Sequence, residues 1–465
     1  MTTAVATWEH RGPVRADVLI AVAGAATAAV GTTLGLGGIV SGSTTMALSG
    51  GAAACAGLLV LMVGGWVDGL ALLALSLPLP SLLPVTAPHV PPAAVLTALI
   101  VAARAVRRLL EPEPLQLGAL PVRAVGFFAA ATVVTAVFGI DPVSSAREVL
   151  NMGVMLALLL IATDQFSRDP ATRRSVALAL AAAVGIAGVA ALLETFDLMP
   201  ADFPLENSSF YRATVGFGWP NESGMYFAVG LPLCVYAFQT GTGRVGKALG
   251  AASVVGCLVG LMCTFSRASW ISVALAPLAL AFAGHGKAAL RAWVLGAVGI
   301  VLLNAALGGA IVARFISLFG DWVVDQRAAL QVVGILMYVD HPIVGVGPGG
   351  FPMGLEQYGP QVANLWDYVG SAHNGYIEVA AQMGTVGLLS FVGMMGLVLA
   401  RTLAYAKEKD DDPAGQALRR AAAWGFATTV LVTVTIWPMA HGLGQMLVLV
   451  AAMGVARSCG PIAAA

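Results

Sequence analysis

The sequence predicts an all-α, polytopic membrane protein of twelve to fourteen transmembrane helices, and three observations carry that prediction. Only 10% of the residues are charged, against about a quarter in an ordinary soluble domain, so most of the chain has little means of facing water. Apolar runs of about 20 residues, the length that crosses a hydrocarbon core, recur between short polar joints. Lys and Arg crowd alternate joints and leave the others nearly bare, the asymmetry that sets the orientation of membrane helices.

The runs lie near residues 17–36, 47–65, 69–87, 91–110, 121–140, 147–163, 174–193, 220–238, 247–265, 268–285, 289–307, 373–401, 420–438 and 442–457. The third is interrupted by Pro78, Pro80 and Pro84. Proline removes a helical hydrogen bond, so this segment is expected to be broken or re-entrant. The polar stretch from Met1 to Asp17 lacks the plan of a cleavable signal peptide. The chain therefore divides into N-terminal helices (1–193), an outer loop (194–219), central helices (220–307), a large outer loop (308–372) and C-terminal helices (373–465).

Orientation follows from the basic residues. With both termini in the cytoplasm, only Arg147, Arg212, Arg267, Arg314 and Arg327 of the 24 Lys and Arg residues fall outside. Acidic residues also number 24, and this balance gives no footing for a nucleic-acid partner. Of the five cysteines, Cys55, Cys234, Cys257 and Cys263 lie in apolar runs and Cys459 in the tail. None has metal-ligand spacing, and they read as small membrane hydrophobes. No metal and no cofactor is expected.

The five outer arginines break a strong bias, and two long loops share their face. Long ordered loops tend to carry function. Within the larger one, Asp325 to Asp340 reads as an amphipathic helix with Ala328, Leu330, Val332, Val333, Leu336 and Met337 on its apolar face. Asp340-His341-Pro342 stops it, and His341 caps or packs there. The run Gly345-Val346-Gly347-Pro348-Gly349-Gly350-Phe351 reads as a tight turn, since no βαβ pattern surrounds it to make a phosphate loop.

Then Ser371-Ala372-His373-Asn374-Gly375-Tyr376-Ile377-Glu378 leads into a long apolar helix. A helix N-terminus carries partial positive charge and free N–H groups. It attracts anions and favours neutral imidazole over imidazolium. His373 is thus either a general base beside an anionic substrate or a helix cap. Glu378, just over a turn deeper, is an ionisable group within a span, which marks a functional candidate. The other reading is a shallow carboxylate hydrogen-bonded to a neighbour.

These residues carry a resemblance. The stretch from Asp340 to Leu389 resembles the signature region of the O-antigen ligase and polysaccharide polymerase superfamily. Four segments are similar in order: Arg212 to Phe217 leading to Pro220-Asn221-Glu222; Thr264-Phe265-Ser266-Arg267-Ala268-Ser269-Trp270; Arg327 followed by Asp340 to Gly347; and His373-Asn374-Gly375-Tyr376 through Gly384 and Gly387. They cover roughly residues 205–390, and the N-terminal spans match only in hydropathy.

The resemblance implies a GT-C-type, metal-independent glycosyltransferase of a bacterial inner membrane, with its active site on the periplasmic or exterior face. Its donor would be a saccharide on undecaprenyl pyrophosphate, and its acceptor a hydroxyl of a lipid-anchored glycan. Carried over by motif, Arg267 and Arg327 would hold the pyrophosphate, with Arg212 as an accessory contact. His373 would activate the acceptor hydroxyl, supported by Asn374, Tyr376 and Glu378. Guanidinium groups can stabilise a pyrophosphate leaving group bidentately without a metal, and histidine titrates near working pH.

Each assignment has a structural counterpart. Arg267 could snorkel at a helix start, Arg327 could pair with Asp325 or Asp321, and Arg212 could anchor its loop to Glu206. Asp321 and Asp325 read as a solvated helix face, and Arg147 and Arg314 as structural. Tyr358, Trp366 and Tyr368 could form a sugar platform or anchor the loop at the interface. His441, with Gln445 on the same helix face, is a weaker second site. Three function classes are thus in play. A transferase is either ligase or polymerase. A secondary transporter would need inverted repeats and mid-membrane charges. A scaffold would have no need of gathered His and Arg.

Overall fold

A computed structural model describes residues 21–30, 32–33, 44–65, 67–78, 92–205, 208–282, 286–316, 323–362, 370–408, 412–435 and 443–457. The helices in chain order begin with α1 (Ala21–Val30), α2 (Thr44–Val63), α3 (Gly69–Ser76), α4 (Pro92–Leu110), α5 (Val122–Val137) and α6 (Pro142–Arg168). They continue with α7 (Pro170–Thr195), α8 (Pro220–Thr240), α9 (Gly243–Cys263), α10 (Arg267–Leu275), α11 (Pro277–Phe282) and α12 (Gly286–Ala306). The last six are α13 (Ala310–Ile316), α14 (Val323–Asp340), α15 (Phe351–Tyr358), α16 (Gly375–Lys407), α17 (Pro413–Val432) and α18 (Leu443–Val455). An isolated bridge between Pro204 and Tyr211 is the only extended pairing among the described residues. The protein is an all-α polytopic membrane protein, and α6, α7, α9 and α16 are each long and apolar enough to cross a bilayer.

Two predicted spans differ from what forms. The third keeps a helix only to Ser76, and Pro80 and Pro84 lie outside the described residues. The span at 268–285 is split at Pro277 into α10 and α11, because proline cannot donate to the preceding turn and its ring crowds it.

The chain forms two units. One comprises Met1–Gly69, Ala87–His89 and Ala98–Pro114, and the other Leu70–Thr86, Val90–Thr97 and Leu115–Ala465. In the first, α1 and α2 cross closely enough that a Cβ on Gly57 would lie 2.4 Å from the Ala28 nitrogen. In the second, α8 is buried along nearly its whole length and packs on α7, α9 and α17. Lipid offers no hydrophobic drive between helices, so small residues that let backbones approach decide such contacts. Here a Cβ on Gly188 of α7 would fall 1.8 Å from the Gly256 carbonyl oxygen of α9.

The glycine run after α14 has a role that a turn alone would not need. Helix α16 is broken at Gly384, whose φ of 61° and ψ of −160° are non-helical. An unbroken helix would direct the Thr385 and Val386 amides to the Ala381 and Gln382 carbonyls. Instead those amides donate to Pro342 O (2.8 Å) and Ile343 O (3.2 Å). The Ala381 and Gln382 carbonyls accept from Val346 N (2.9 Å) and Gly347 N (2.8 Å). Residues 342–347 are thus inserted into the break, and these two amides and two carbonyls of the helix are satisfied by the loop, as a buried site demands.

Only glycine fits the two points of closest approach. A Cβ on Gly384 would lie 2.3 Å from the Ile343 carbonyl carbon, and one on Gly345 2.3 Å from that of Gln382. Both glycines are left-handed, at φ 61° and 69°. Gly384→Ala is therefore expected to lower the yield of monodisperse protein and its thermal midpoint in detergent. Strain at such a position costs about 1–3 kcal/mol before the steric clash is added. Wild-type melting behaviour in that variant would refute the insertion.

Candidate active site

Three short turns and one amphipathic helix place Arg212, Arg267, Arg327 and the histidine. The first turn follows α7. Buried Glu194 accepts the Thr214 amide (2.6 Å) and the Val215 amide (3.2 Å), while Ser223 Oγ at the start of α8 donates to Thr214 O. Ala213 N donates to Cys263 O (2.9 Å), tying this loop to the end of α9. Arg212 is thereby held over the next turn, where its Nε donates to Thr264 O (3.1 Å) and a terminal nitrogen to Asn221 Oδ1 (3.4 Å). Glu206, the anchor considered from sequence, lies outside the described residues.

The second turn links α9 and α10. Thr264 Oγ1 accepts from Ser266 N (3.2 Å), Ser266 Oγ and Ser269 Oγ lie 3.1 Å apart, and Trp270 Nε1 donates to Leu261 O (3.0 Å). Gly224 of α8 lets this turn approach, since a Cβ there would meet Ser269 Oγ at 2.6 Å. Arg267 is the first residue of α10, at 9% exposure. A cation at a helix N-terminus opposes the macrodipole, so neither burial nor helix stability accounts for an arginine here.

The predicted amphipathic helix forms as α14. Leu330, Val333 and Met337 pack with Val346, Phe351, Leu355, Tyr358, Ala372 and Ala381 into the core beneath the large loop. Gly334 brings α14 onto the start of α16, because a Cβ there would lie 2.7 Å from Ile377 Cγ2. Arg327 is on the same helix, N-terminal to that contact. Tyr358 is 3% exposed within the core, so it is neither a sugar platform nor an interface anchor. Trp366, Tyr368 and His441 lie outside the described residues, as does Asp321.

The third turn carries His373. The cap of α16 is Asn374, whose Oδ1 accepts from Tyr376 N (3.0 Å) and Ile377 N (3.2 Å). The capping reading considered for His373 therefore belongs to its neighbour, and the imidazole is not occupied in closing the helix. Tyr376 Oη donates to Val430 O of α17 (3.0 Å), and Gly375 N to Thr433 O (2.8 Å), so the helix start is pinned from a second side. Glu378 is 3% exposed and accepts from Ala372 N (2.6 Å), Ser371 Oγ (3.1 Å) and Gln382 Nε2 (2.6 Å). It is a buried organiser of the His373 turn rather than a shallow, water-reached carboxylate.

Val215, Phe265 and His373 are left-handed, at φ 42°, 49° and 49°. Among described non-glycine residues only Asp197 joins them. Such backbone costs about 1–3 kcal/mol per residue and collects where surrounding structure over-determines a functional geometry. Here one such residue sits in each of the three turns.

Electrostatics links these pieces. Arg327 has its pKa lowered by burial and then by the Arg267 and Arg314 guanidinium groups. His373 is pushed down to about 4, first by burial and then by the charge of Arg327. Arg267, Arg314, Arg327 and His373 therefore share one electropositive neighbourhood in which the imidazole is neutral at neutral pH. Arg212 is hydrogen-bonded to the Thr264 turn that precedes Arg267. Arg314, read as structural from sequence, belongs to the cluster. Its one signal was its place among the outer arginines, since no motif surrounds it. Among the described residues, no group of three His, Cys, Asp or Glu side chains is placed to hold a metal ion.

Residues 252–392 match the family model described as O-antigen ligase. The similarity covers roughly a third of the chain. No curated protein matches the sequence. The matched segment runs from within α9 into α16 and contains Arg267, Arg314, Arg327, His373 and Glu378. Arg212 and its loop precede the matched segment. The matched segment also spans the break at Gly384 and the loop inserted there, while the Val430 and Thr433 contacts that pin the start of α16 lie beyond it.

Proposed function

We propose that the protein is a GT-C-type glycosyltransferase that moves a saccharide from undecaprenyl pyrophosphate to a hydroxyl of a lipid-anchored glycan, at the outer face of a bacterial inner membrane. A neutral imidazole beside Arg327, itself within the field of Arg267 and Arg314 and inside the segment that matches the O-antigen ligase model, carries this reading. Among the described residues, the Arg267 and Arg314 guanidinium groups both lower the pKa of Arg327. Such a cluster is stabilised by an anion that several arginines can fork onto at once, and a pyrophosphate supplies one. The outward placement rests on the distribution of Lys and Arg, with both termini cytoplasmic.

In the proposed reaction the acceptor oxygen forms a bond to the anomeric carbon as the bond from that carbon to the pyrophosphate oxygen breaks. The electron pair leaves on the pyrophosphate, where Arg267, Arg327 and Arg314 stabilise the developing charge. The hydroxyl proton passes to His373. Asn374, Tyr376 and Glu378 hold the turn that presents the imidazole, and Arg212 lies at the edge of the site. The donor also prepares the base. Its negative charge offsets the field of Arg327, so the imidazole, pushed down to about 4 by burial and Arg327, becomes more basic once the donor is bound.

Transfer from purified undecaprenyl-pyrophosphate-linked glycan in detergent, with EDTA present, tests the proposal. Product should form at an undiminished rate in EDTA. Loss of transfer on chelation, restored by a divalent cation, would refute the metal-independent mechanism. A single shift in product size identifies a ligase, and a ladder identifies a polymerase of the same superfamily. Absence of transfer by well-folded protein, with substrate-dependent flux in vesicles instead, would favour a transporter.

A further inference from the structure

Gln382 lies two turns into α16 and has no place in the chemistry above, yet both ends of its amide are used. Its Nε2 donates to Glu378 Oε1 (2.6 Å), and its Oε1 accepts from the Gly349 amide (2.5 Å). The other oxygen of Glu378 accepts from Ser371 Oγ and Ala372 N, the two residues before His373. Ser371 Oγ also accepts from the His373 amide at 3.3 Å. A continuous hydrogen-bonded line thus runs from the inserted glycine loop through two side chains to the left-handed turn. We propose that Gln382 is a positioning residue that fixes the His373 turn through Glu378 and ties it to the loop carrying Gly349.

The physical argument is one of satisfaction. Each oxygen of the buried carboxylate has its own donors, and a buried acceptor deprived of its donor costs more than the bond was worth. Without the Gln382 amide, Glu378 Oε1 is orphaned and its carboxylate has reason to rotate away from Ala372. The turn then loses the contacts that hold His373 at φ 49°. A displacement of the base by about 1 Å can cost on the order of 10²-fold in rate without changing how the donor is bound.

The inference rests on His373 acting as base, and its test separates the two. Gln382→Met keeps length and volume while removing both hydrogen bonds. Its kcat is expected to fall about 10- to 100-fold with KM for the donor within about twofold. Combining it with Glu378→Gln should add little, because the two act as one unit. Hydrogen exchange of the Ser371–Asn374 segment should accelerate in the variant. Unchanged kcat and unchanged exchange, or losses that multiply in the double variant, overturn the relay. So does a loss that vanishes when rates are normalised to folded protein. If the wild type transfers nothing, the functional reading fails while the exchange comparison still judges the relay. If the variant does not fold, exchange in the wild type decides. Linked through the relay, the Ala372 and Gly349 amides should open with a common protection factor, and unrelated protection would refute it.

Discussion

His373→Ala is expected to reduce kcat by about 10³-fold, the scale of a general base removed from its proton, while leaving donor affinity nearly intact. The loss should be accompanied by a change in pH dependence that an indirect effect would not produce. Imidazole accepts a proton only when neutral, so activity falls as pH drops through its pKa. In the free enzyme that pKa is depressed to about 4, which places the acid limb of kcat/KM well below the ordinary histidine range. In the donor complex the pyrophosphate opposes Arg327, so the limb in kcat should stand at higher pH than the limb in kcat/KM. Both limbs should disappear in His373→Ala. Steady-state profiles from pH 3.5 to 8 measure this directly. A variant that keeps wild-type kcat, or that loses rate but keeps the limb, removes His373 from the chemistry.

Arg327→Ala should lower kcat/KM for the donor by about 10²- to 10³-fold, the range found when one preorganised donor to a developing anion is deleted. Arg327→Lys should recover only part of this, because an ammonium is a point charge and lacks the planar fork that grips a phosphate in two places. The same pair of variants reports on the histidine. Removing the cation in Arg327→Ala takes away the second cause of the His373 depression, so the acid limb of kcat/KM should move upward. Arg327→Lys should hold it close to the wild-type position. Normal kcat/KM together with an unmoved limb in Arg327→Ala would separate Arg327 from both the donor and the base.

The helical architecture was legible because hydropathy and loop charge are properties of whole segments. The start of α16 was legible as a polar run leading into an apolar one, but the capping role considered for His373 falls to Asn374. The break at Gly384 was not legible. Glycines in a membrane helix usually mark close helix packing, and nothing near Gly384 shows that residues 342–347 fill a gap there. The glycine run after His341 read as a turn, but its purpose depends on carbonyls some 40 residues later in the chain. Arg314 escaped for the same reason, since its approach to Arg327 is created by tertiary packing. Tyr358 showed an aromatic in a loop, and only the packing of α14 on α15 makes it part of a core.

The insertion at Gly384 also bears on how this segment could be exchanged between relatives. The first turns of α16 give their backbone carbonyls to the loop after α14, so residues 323–362 and 370–383 form a mechanical cassette distinct from the shaft that follows. A chimera cut at the apparent start of α16 would separate the histidine from the strand of chain that braces it. One joined at Gly384 would carry histidine, brace and Arg327 together, and would leave Arg267 and Arg314 to be supplied by the rest of the chain.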